Sequence, residues 1–414
     1  MVTGRAAVQA AGLEWQLQRA RARRLARVYL WRDPTARLGL PATRVDPYPV
    51  YRQLRQLGTL VRGRGGQWVT ASHPVSEQLV RDRRLGVREE VEPAPSGLSF
   101  LELNPPDHTR LRRLAAPAFA PARIRGYRAR IEATVHRLLD RLEASGGGDL
   151  ISGFAAPLPI AVITDLLGVP DADAGRFAHY GAVLGGGLDG VRSLRHAREL
   201  EACNDALAHL FEELLALRRR EPADDVISAI VSVEGEQVRP DEMVPLCALL
   251  LIAGFETTVN LVGNGVMALL SHPEQWRALC DEPGLAAKAV EETLRWDAPV
   301  QSTGRVALEP VEIDGRRLDK GTWVNVLLGG ANRDPAVFAR PDRFDISRGS
   351  AEHLAFSGGI HHCLGRPLAR LEGAVAFEAL AARLPGLYLA GPGRRRDTFV
   401  LRGWEELPVA VAGR

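Results

Sequence analysis

A chain of 414 residues with 46% apolar and 25% charged side chains can build a large folded core, and that balance excludes intrinsic disorder. Lys and Arg total 53 against 50 Asp and Glu, and a net charge of +3 gives no ground for a nucleic-acid-binding surface. Cys203, Cys247, Cys280 and Cys363 stand far apart without CxxC spacing, which excludes a disulfide framework or zinc ribbon and favours a reduced intracellular setting.

Early in the chain, AAVQAAGLEWQLQRARARRLARVYLW interrupts its apolar residues (Leu13, Leu17, Leu25, Val28, Leu30) with arginine. It lacks the continuous apolar stretch and cleavage site of a signal peptide, so it reads as a surface or docking helix, with membrane contact the lesser alternative. Residues 46–72 read as a helix followed by a hairpin that turns at Arg64-Gly65-Gly66, because the apolar period shifts to 2 around Gly58. A Pro- and acid-rich loop spans 84–104. From about 106 to 300 the pattern is almost all helical, broken at Gly146–Gly148, Pro170-Asp171, Gly185–Gly187 and Glu234-Gly235. The longest strongly apolar run, Val244 to Phe255, is 12 residues where roughly 20 would span a bilayer, so it predicts a buried core helix. Strand-like alternation returns at 303–328, an aperiodic stretch fills 331–362, one helix covers about 364–384, and short strands end the chain.

Chemistry concentrates in residues 356–370, where Cys363 ends a glycine-rich loop just before an amphipathic helix. The unpaired N–H groups and positive dipole end of a helix N-terminus favour thiolate over thiol, which predicts a low-pKa, strongly donating ligand. Gly358 and Gly359 would let backbone N–H groups approach the sulfur, and Gly365 would let a flat ligand lie close to the helix. Two plainer readings stand beside this one. A free cysteine is commonly a small buried hydrophobe, and His361, His362 and Cys363 could suggest zinc, although three adjacent residues cannot easily converge on one ion.

The segment closely resembles the haem-binding loop of the cytochrome P450 family, F-x-x-G-x-[HR]-x-C-x-G, through Phe356, Gly359, His361, Cys363 and Gly365; Ser357 stands where the family usually has Gly. The resemblance implies that Cys363 is the axial ligand of haem b iron. It extends to Ala253-Gly254-Phe255-Glu256-Thr257-Thr258, which fills the family's distal-helix pattern. There Ala253 and Gly254 are expected to border the dioxygen groove, Gly254 leaving room for it. Thr257 would hold a water by hydrogen bonds and Glu256 would relay protons, so these two are the expected catalytic pair. Glu292 and Arg295 match the family's E-x-x-R, with Arg343 as the expected third partner of a structural triad that pins the approach to the cysteine loop. His108 and Arg112, together with Arg305 and His361, are implied to hold the two haem propionates.

By the same resemblance the fold is mainly α with small β-sheets (α+β), haem lying between a long distal helix and the helix after the cysteine. Residues 1–45 are an N-terminal extension and 46–414 a single domain, against the two or three domains that length suggests. The pocket is expected to draw on the 85–103 loop, a glycine-rich lid at 180–192, and Ile252, Val300, Thr303 and Phe399. No dinucleotide fingerprint or flavin segment is present, so electrons are expected from NAD(P)H through a separate ferredoxin reductase and ferredoxin. Arg110, Arg113, Arg366 and Arg370 would offer that ferredoxin a basic face. The expected protein is a cytoplasmic monomer with no nucleic-acid or membrane partner. It would oxidise a lipophilic small molecule, such as a polyketide, macrolide or peptide, by hydroxylation or epoxidation. Coupling or desaturation would use the same residues. A haem-based sensor would not need the Glu256–Thr257 pair.

Overall fold

The computed structural model describes residues 2–89, 99–170, 173–348 and 352–412, with the backbone alone over 2–11. Residues 90–98 of the expected pocket loop and Asp171 lie outside the described residues.

The long helix Pro240–Ser271 is the axis of the molecule. Its Pro sits at the first helical position, and Glu242 returns a bond to the Arg239 N–H, so the start is set by local chemistry. By length and composition it could cross a membrane, but most of it is buried in the protein. It extends the expected 12-residue apolar run to 32 residues and is apolar almost all round, as a helix enclosed on every side must be. Helices Pro157–Leu167, Ala174–Gly187, Leu194–Arg220, Ala286–Trp296 and Arg366–Arg383 pack against it.

Small sheets flank this helical body. Val61–Arg62, Trp68–Thr70, Trp323–Val326, Thr303–Ala307 and Leu85–Gly86 form one sheet in that order, with the Trp68–Thr70 and Trp323–Val326 pair parallel. The hairpin between the first two strands turns through Gly66 in the left-handed region, φ 87°.

The helical pattern breaks directly after Gly185–Gly187, the last three residues of their helix. They lie inside Ala174–Gly187, and only Gly190 beyond it takes positive φ. A Cβ at Gly181 would come within 2.5 Å of Phe255, and one at Gly185 within 2.9 Å of Leu401. Gly181 and Gly185 let this helix lie close against the core helix and the C-terminal segment, while Gly190 lies in the turn to the next helix.

The approach to the cysteine loop hangs on Glu292 and Arg295, which are fully buried and joined by two bonds of 2.7 Å. Arg295 also donates to the carbonyls of Asn332, Pro341 and Arg343. The third side chain is not Arg343, whose guanidinium is half-exposed and lies 3.9 Å from Asp345. Arg343 contributes its carbonyl; Arg348 supplies the charge, 3.3 Å from Glu292. The sequence pattern placed an arginine near the triad but could not show which side of the turn each side chain leaves from.

A second buried junction centres on Asp297, which accepts from Arg402 at 2.6 Å, Tyr48 at 2.8 Å and Arg395 at 2.9 Å. These cations hold its carboxyl below the usual range against the upward push of burial. It ties the start of the main body to the end of the helix Ala286–Trp296 and to the C-terminal segment.

Arg348→Ala is expected to cost about 1–3 kcal/mol in denaturant unfolding because it strips a charge-assisted partner from Glu292, whereas Arg343→Ala should stay within about 0.5 kcal/mol. Equal losses from the two substitutions would return the triad role to Arg343.

Candidate active site

A cavity of about 1170 Å³ is lined by both the core helix and the start of the helix Arg366–Arg383, and Cys363 opens onto it. The loop before Cys363 is closed by its own N–H donating to the Phe356 carbonyl at 2.9 Å. Gly359 takes φ 62°, and a Cβ there would strike the Val80 carbonyl at 2.3 Å, so this turn admits only glycine. Ser357 adopts φ 57°, a left-handed turn at the position where glycine is usual in the family pattern.

The N–H groups that reach the sulfur come from Gly365 and Arg366, on the helix side, rather than from the glycines before it. They lower the thiol's proton affinity, as do the charges of Arg112 and Arg366. Burial outweighs them, so the thiol lies above its ordinary value and not below it as the helix-dipole argument predicted. The sulfur faces the cavity. A bound metal ion removes that proton outright.

Beside the cysteine stand four nitrogen-bearing groups. His108 is 1% exposed and neither ring nitrogen has a partner; His361 has an unpartnered Nε2, and the two rings lie 4.2 Å apart. Burial pushes His108 down to about 4 and His361 down to about 3, with neighbouring positive groups adding to both shifts. Arg305 is 2% exposed and donates only to neutral oxygens of Thr303, Gly304 and Ser357; burial lowers it to about 10. Arg112 donates to the His362 carbonyl at 2.6 Å. Among the described residues no carboxylate answers any of the four.

Buried donors without acceptors and a buried guanidinium without a counter-ion are costly arrangements. A haem carries two propionates, and its plane needs a flat space beside the axial ligand. Gly365 borders the cavity, and a Cβ there would meet nothing nearer than 4.0 Å. The donor set and this open flank fit haem.

On the core helix, Ala253 opens onto the cavity, while the space a Cβ would take at Gly254 is occupied by Ile163, 2.5 Å away. Gly254 thus lets the helix Pro157–Leu167 approach closely, and it also lines the cavity beside Ala253. Thr257 donates to the Ala253 carbonyl at 3.3 Å. Glu256 is 2% exposed and forms a buried ion pair with Arg396 of the C-terminal segment. That arginine escaped sequence reasoning, although the run Arg394-Arg395-Arg396 in a tail of short strands was its visible signal.

Ile252, Val300, Thr303 and Phe399 all line the same cavity. Val300 bridges to Leu401, and Gln301 N–H donates to the Val400 carbonyl at 2.8 Å, which joins the two pocket segments. Asp189 accepts from the N–H groups of Phe399 and Val400 at 2.7 and 2.8 Å and so sets the tip. Of the four arginines expected to face a ferredoxin, two are already neutralised: Arg110 by Glu242 and Asp107, and Arg370 by Glu291. Arg113 and Arg366 are exposed and have no acidic partner among the described residues.

Replacing Arg305 by Met removes a buried charge that lacks a counter-ion in the haem-free protein. The haem-free variant should unfold at no lower temperature, yet lose haem to an acceptor protein about tenfold faster or more. A destabilised haem-free variant with unchanged haem retention would sink the propionate assignment.

Comparison with known proteins agrees with this geometry. The cytochrome P450 family profile matches residues 284–383, which include Glu292, Arg295 and Cys363. The "Putative cytochrome P450 140" of Mycobacterium tuberculosis is 39% identical over 397 residues, covering 90% of each chain. The 6-deoxyerythronolide B hydroxylase of Saccharopolyspora erythraea is 37% identical over 399 residues, covering 89% of this chain and 97% of that one. Among solved structures, P450BioI in complex with an acyl carrier protein ligated to hexadec-9Z-enoic acid superposes with a TM-score of 0.84. It is 38% identical and covers 90% of this chain and 99% of its own. With that identity carried across nine-tenths of the chain, the protein belongs to the cytochrome P450 family and is a haem monooxygenase of bacterial type.

Proposed function

We propose that residues 46–414 form one haem-binding domain, preceded by an extension over 1–45, and that the protein oxidises a lipophilic small molecule within the cavity that ends at Cys363. The observation that carries this reading is the set of four unanswered groups, His108, Arg112, Arg305 and His361, beside a cavity-facing thiol. Bound haem b supplies iron chemistry toward dioxygen. The chain's own residues do the rest.

Cys363 would hold the iron of a bound haem, and the Gly365 and Arg366 N–H groups would moderate the charge on its sulfur. The four nitrogen-bearing groups fix the haem plane through its propionates. Ala253 leaves the opposite wall low. The Thr257 hydroxyl, which donates to the Ala253 carbonyl, would hold a water beside a bound haem, and Glu256 would pass protons inward. The Arg396 pair holds and orients Glu256 within the protein. Ile252, Val300 and Phe399 exclude water and bind the apolar substrate, and Thr303 gives it a hydroxyl partner.

Hydroxylation or epoxidation of a secondary metabolite such as a polyketide, macrolide or peptide fits the size and apolar walls of the space; the name of the macrolactone-hydroxylating relative supports that class. Electrons reach the haem from NAD(P)H through ferredoxin reductase and ferredoxin, and Arg113 and Arg366 offer the ferredoxin its basic contact.

The reduced, carbonyl-bound protein is expected to show the red-shifted Soret band that thiolate ligation produces, and Cys363→His should abolish it; its absence in the native chain would overturn the reading. Thr257→Ala is expected to cut product formed per electron by about tenfold or more, since positioned proton transfer contributes on the order of 10²–10⁴ in rate. Unchanged coupling would remove Thr257 from the proton path.

A further inference from the structure

The cavity does not stop at the apolar pocket. Its lining continues to the first helix, Val2–Tyr29, through Ala20, Arg23, Arg24 and Arg27, and to Arg44 beyond it. Cys363 and Ala253 mark the inner end; Arg23 and Arg24 are exposed and mark the outer one. Between them the wall is largely apolar, with Leu38, Leu101, Leu188 and Phe399.

The helix is seated, not merely adjacent. Arg27 pairs with the buried Asp33 at 2.8 Å, and its guanidinium lies over Gly65, where a Cβ would meet it at 2.5 Å. Arg24 lies over Gly39 in the same way, 2.8 Å from where a Cβ would stand, and donates to the Gly39 carbonyl at 3.1 Å. Larger residues at positions 39 and 65 would lift these side chains from the cavity wall.

The cavity lining carries the carboxylates of Glu102, of Asp189, which accepts from the Phe399 and Val400 N–H groups, and of Glu256, which pairs with Arg396; its arginines sort into three groups. Arg27 and Arg44 are answered by Asp33 and Asp397. Arg112 and Arg305 face the proposed haem propionates. Arg23 and Arg24 have no carboxylate partner among the described residues, and Glu14 is the sole acid among the described side chains of the helix, against Arg19, Arg21, Arg23, Arg24 and Arg27. An apolar tube with a cationic outer end and a haem-binding inner end selects a molecule that is apolar at one end and anionic at the other.

We propose that Arg23 and Arg24 form an anion-binding collar at the outer end of the cavity, and that the substrate is an acyl or similarly apolar chain ending in a carboxylate or phosphate. This rests on the monooxygenase reading above and narrows its substrate class. A free acid supplies the carboxylate; an acyl chain borne on the phosphopantetheine of a carrier protein supplies the phosphate.

The test titrates the haem-loaded full chain with hexadecanoic acid, its methyl ester and a hexadecanoyl-carrier protein, read by the Soret shift and by calorimetry. One of the two anionic forms should bind about tenfold more tightly than the ester at low salt, one charge-assisted contact being of that order. The advantage should shrink as ionic strength rises. It should vanish in Arg23→Gln/Arg24→Gln with ester binding unchanged, while Arg19→Gln/Arg21→Gln, away from the cavity, keeps it. An arginine-dependent advantage for the acid identifies the carboxylate source, and one for the carrier-borne chain alone identifies the phosphate source. The proposal falls if neither anionic form outbinds the ester, including by not binding, or if the advantage survives the Arg23/Arg24 substitutions. It falls equally if those arginines matter only for binding anionic phosphatidylglycerol vesicles. Should the thiolate spectrum stand while the anion preference fails, only the substrate class is lost.

Discussion

Buried nitrogen groups without an acceptor or a counter-ion are the constraint around which this protein is arranged. His108 and His361 present ring nitrogens with no acceptor, and Arg305 is buried among neutral oxygens. Glu372 does not relieve them: it is sealed in the helix after the cysteine with neither oxygen bonded, and burial pushes its carboxyl well above the usual range. The polypeptide therefore folds around a deficit that a dianionic, planar group would fill. In that sense the haem-free chain is an incomplete core, and haem binding and stability are linked.

The legibility of the sequence followed the range of each interaction. Local chemistry could be read directly. The cysteine loop, the acid–alcohol pair and the glutamate–arginine spacing are short patterns whose geometry is set within one or two turns of backbone. The small sheets were also legible, because alternation at 303–328 reports a half-buried strand. What could not be read was where side chains go after leaving a turn. Arg343 and Arg348 are five residues apart, and only the folded path decides that Arg348 reaches Glu292 while Arg343 offers a carbonyl. Glycine misled for the same reason. At Gly185 its missing side chain serves close approach to the core helix and the C-terminal segment, and the sequence does not distinguish that use from looseness.

The thiol illustrates a competition of magnitudes. A helix N-terminus and two nearby guanidiniums lower the proton affinity of a sulfur, and taken alone they predict a thiolate. Enclosure acts in the other direction, and in the metal-free site it dominates. The local signal singled out a thiol that lines the cavity but not its protonation, because desolvation depends on the whole fold and a motif carries no record of it.

The C-terminal segment shows how few contacts join the separate tasks of the site. Arg395 and Arg402 meet at Asp297, Arg396 closes on Glu256, and Phe399 hangs from Asp189 between them. A displacement at the Phe399 tip cannot leave the Glu256 pair untouched, since only two residues separate Phe399 from Arg396 and Asp297 anchors both sides of the span. Substrate contact and proton-relay geometry thus share one short stretch of backbone. The buried pairs holding that stretch would lose several kcal/mol each if one partner were removed, which is what makes the segment a rigid bracket and not a loose flap.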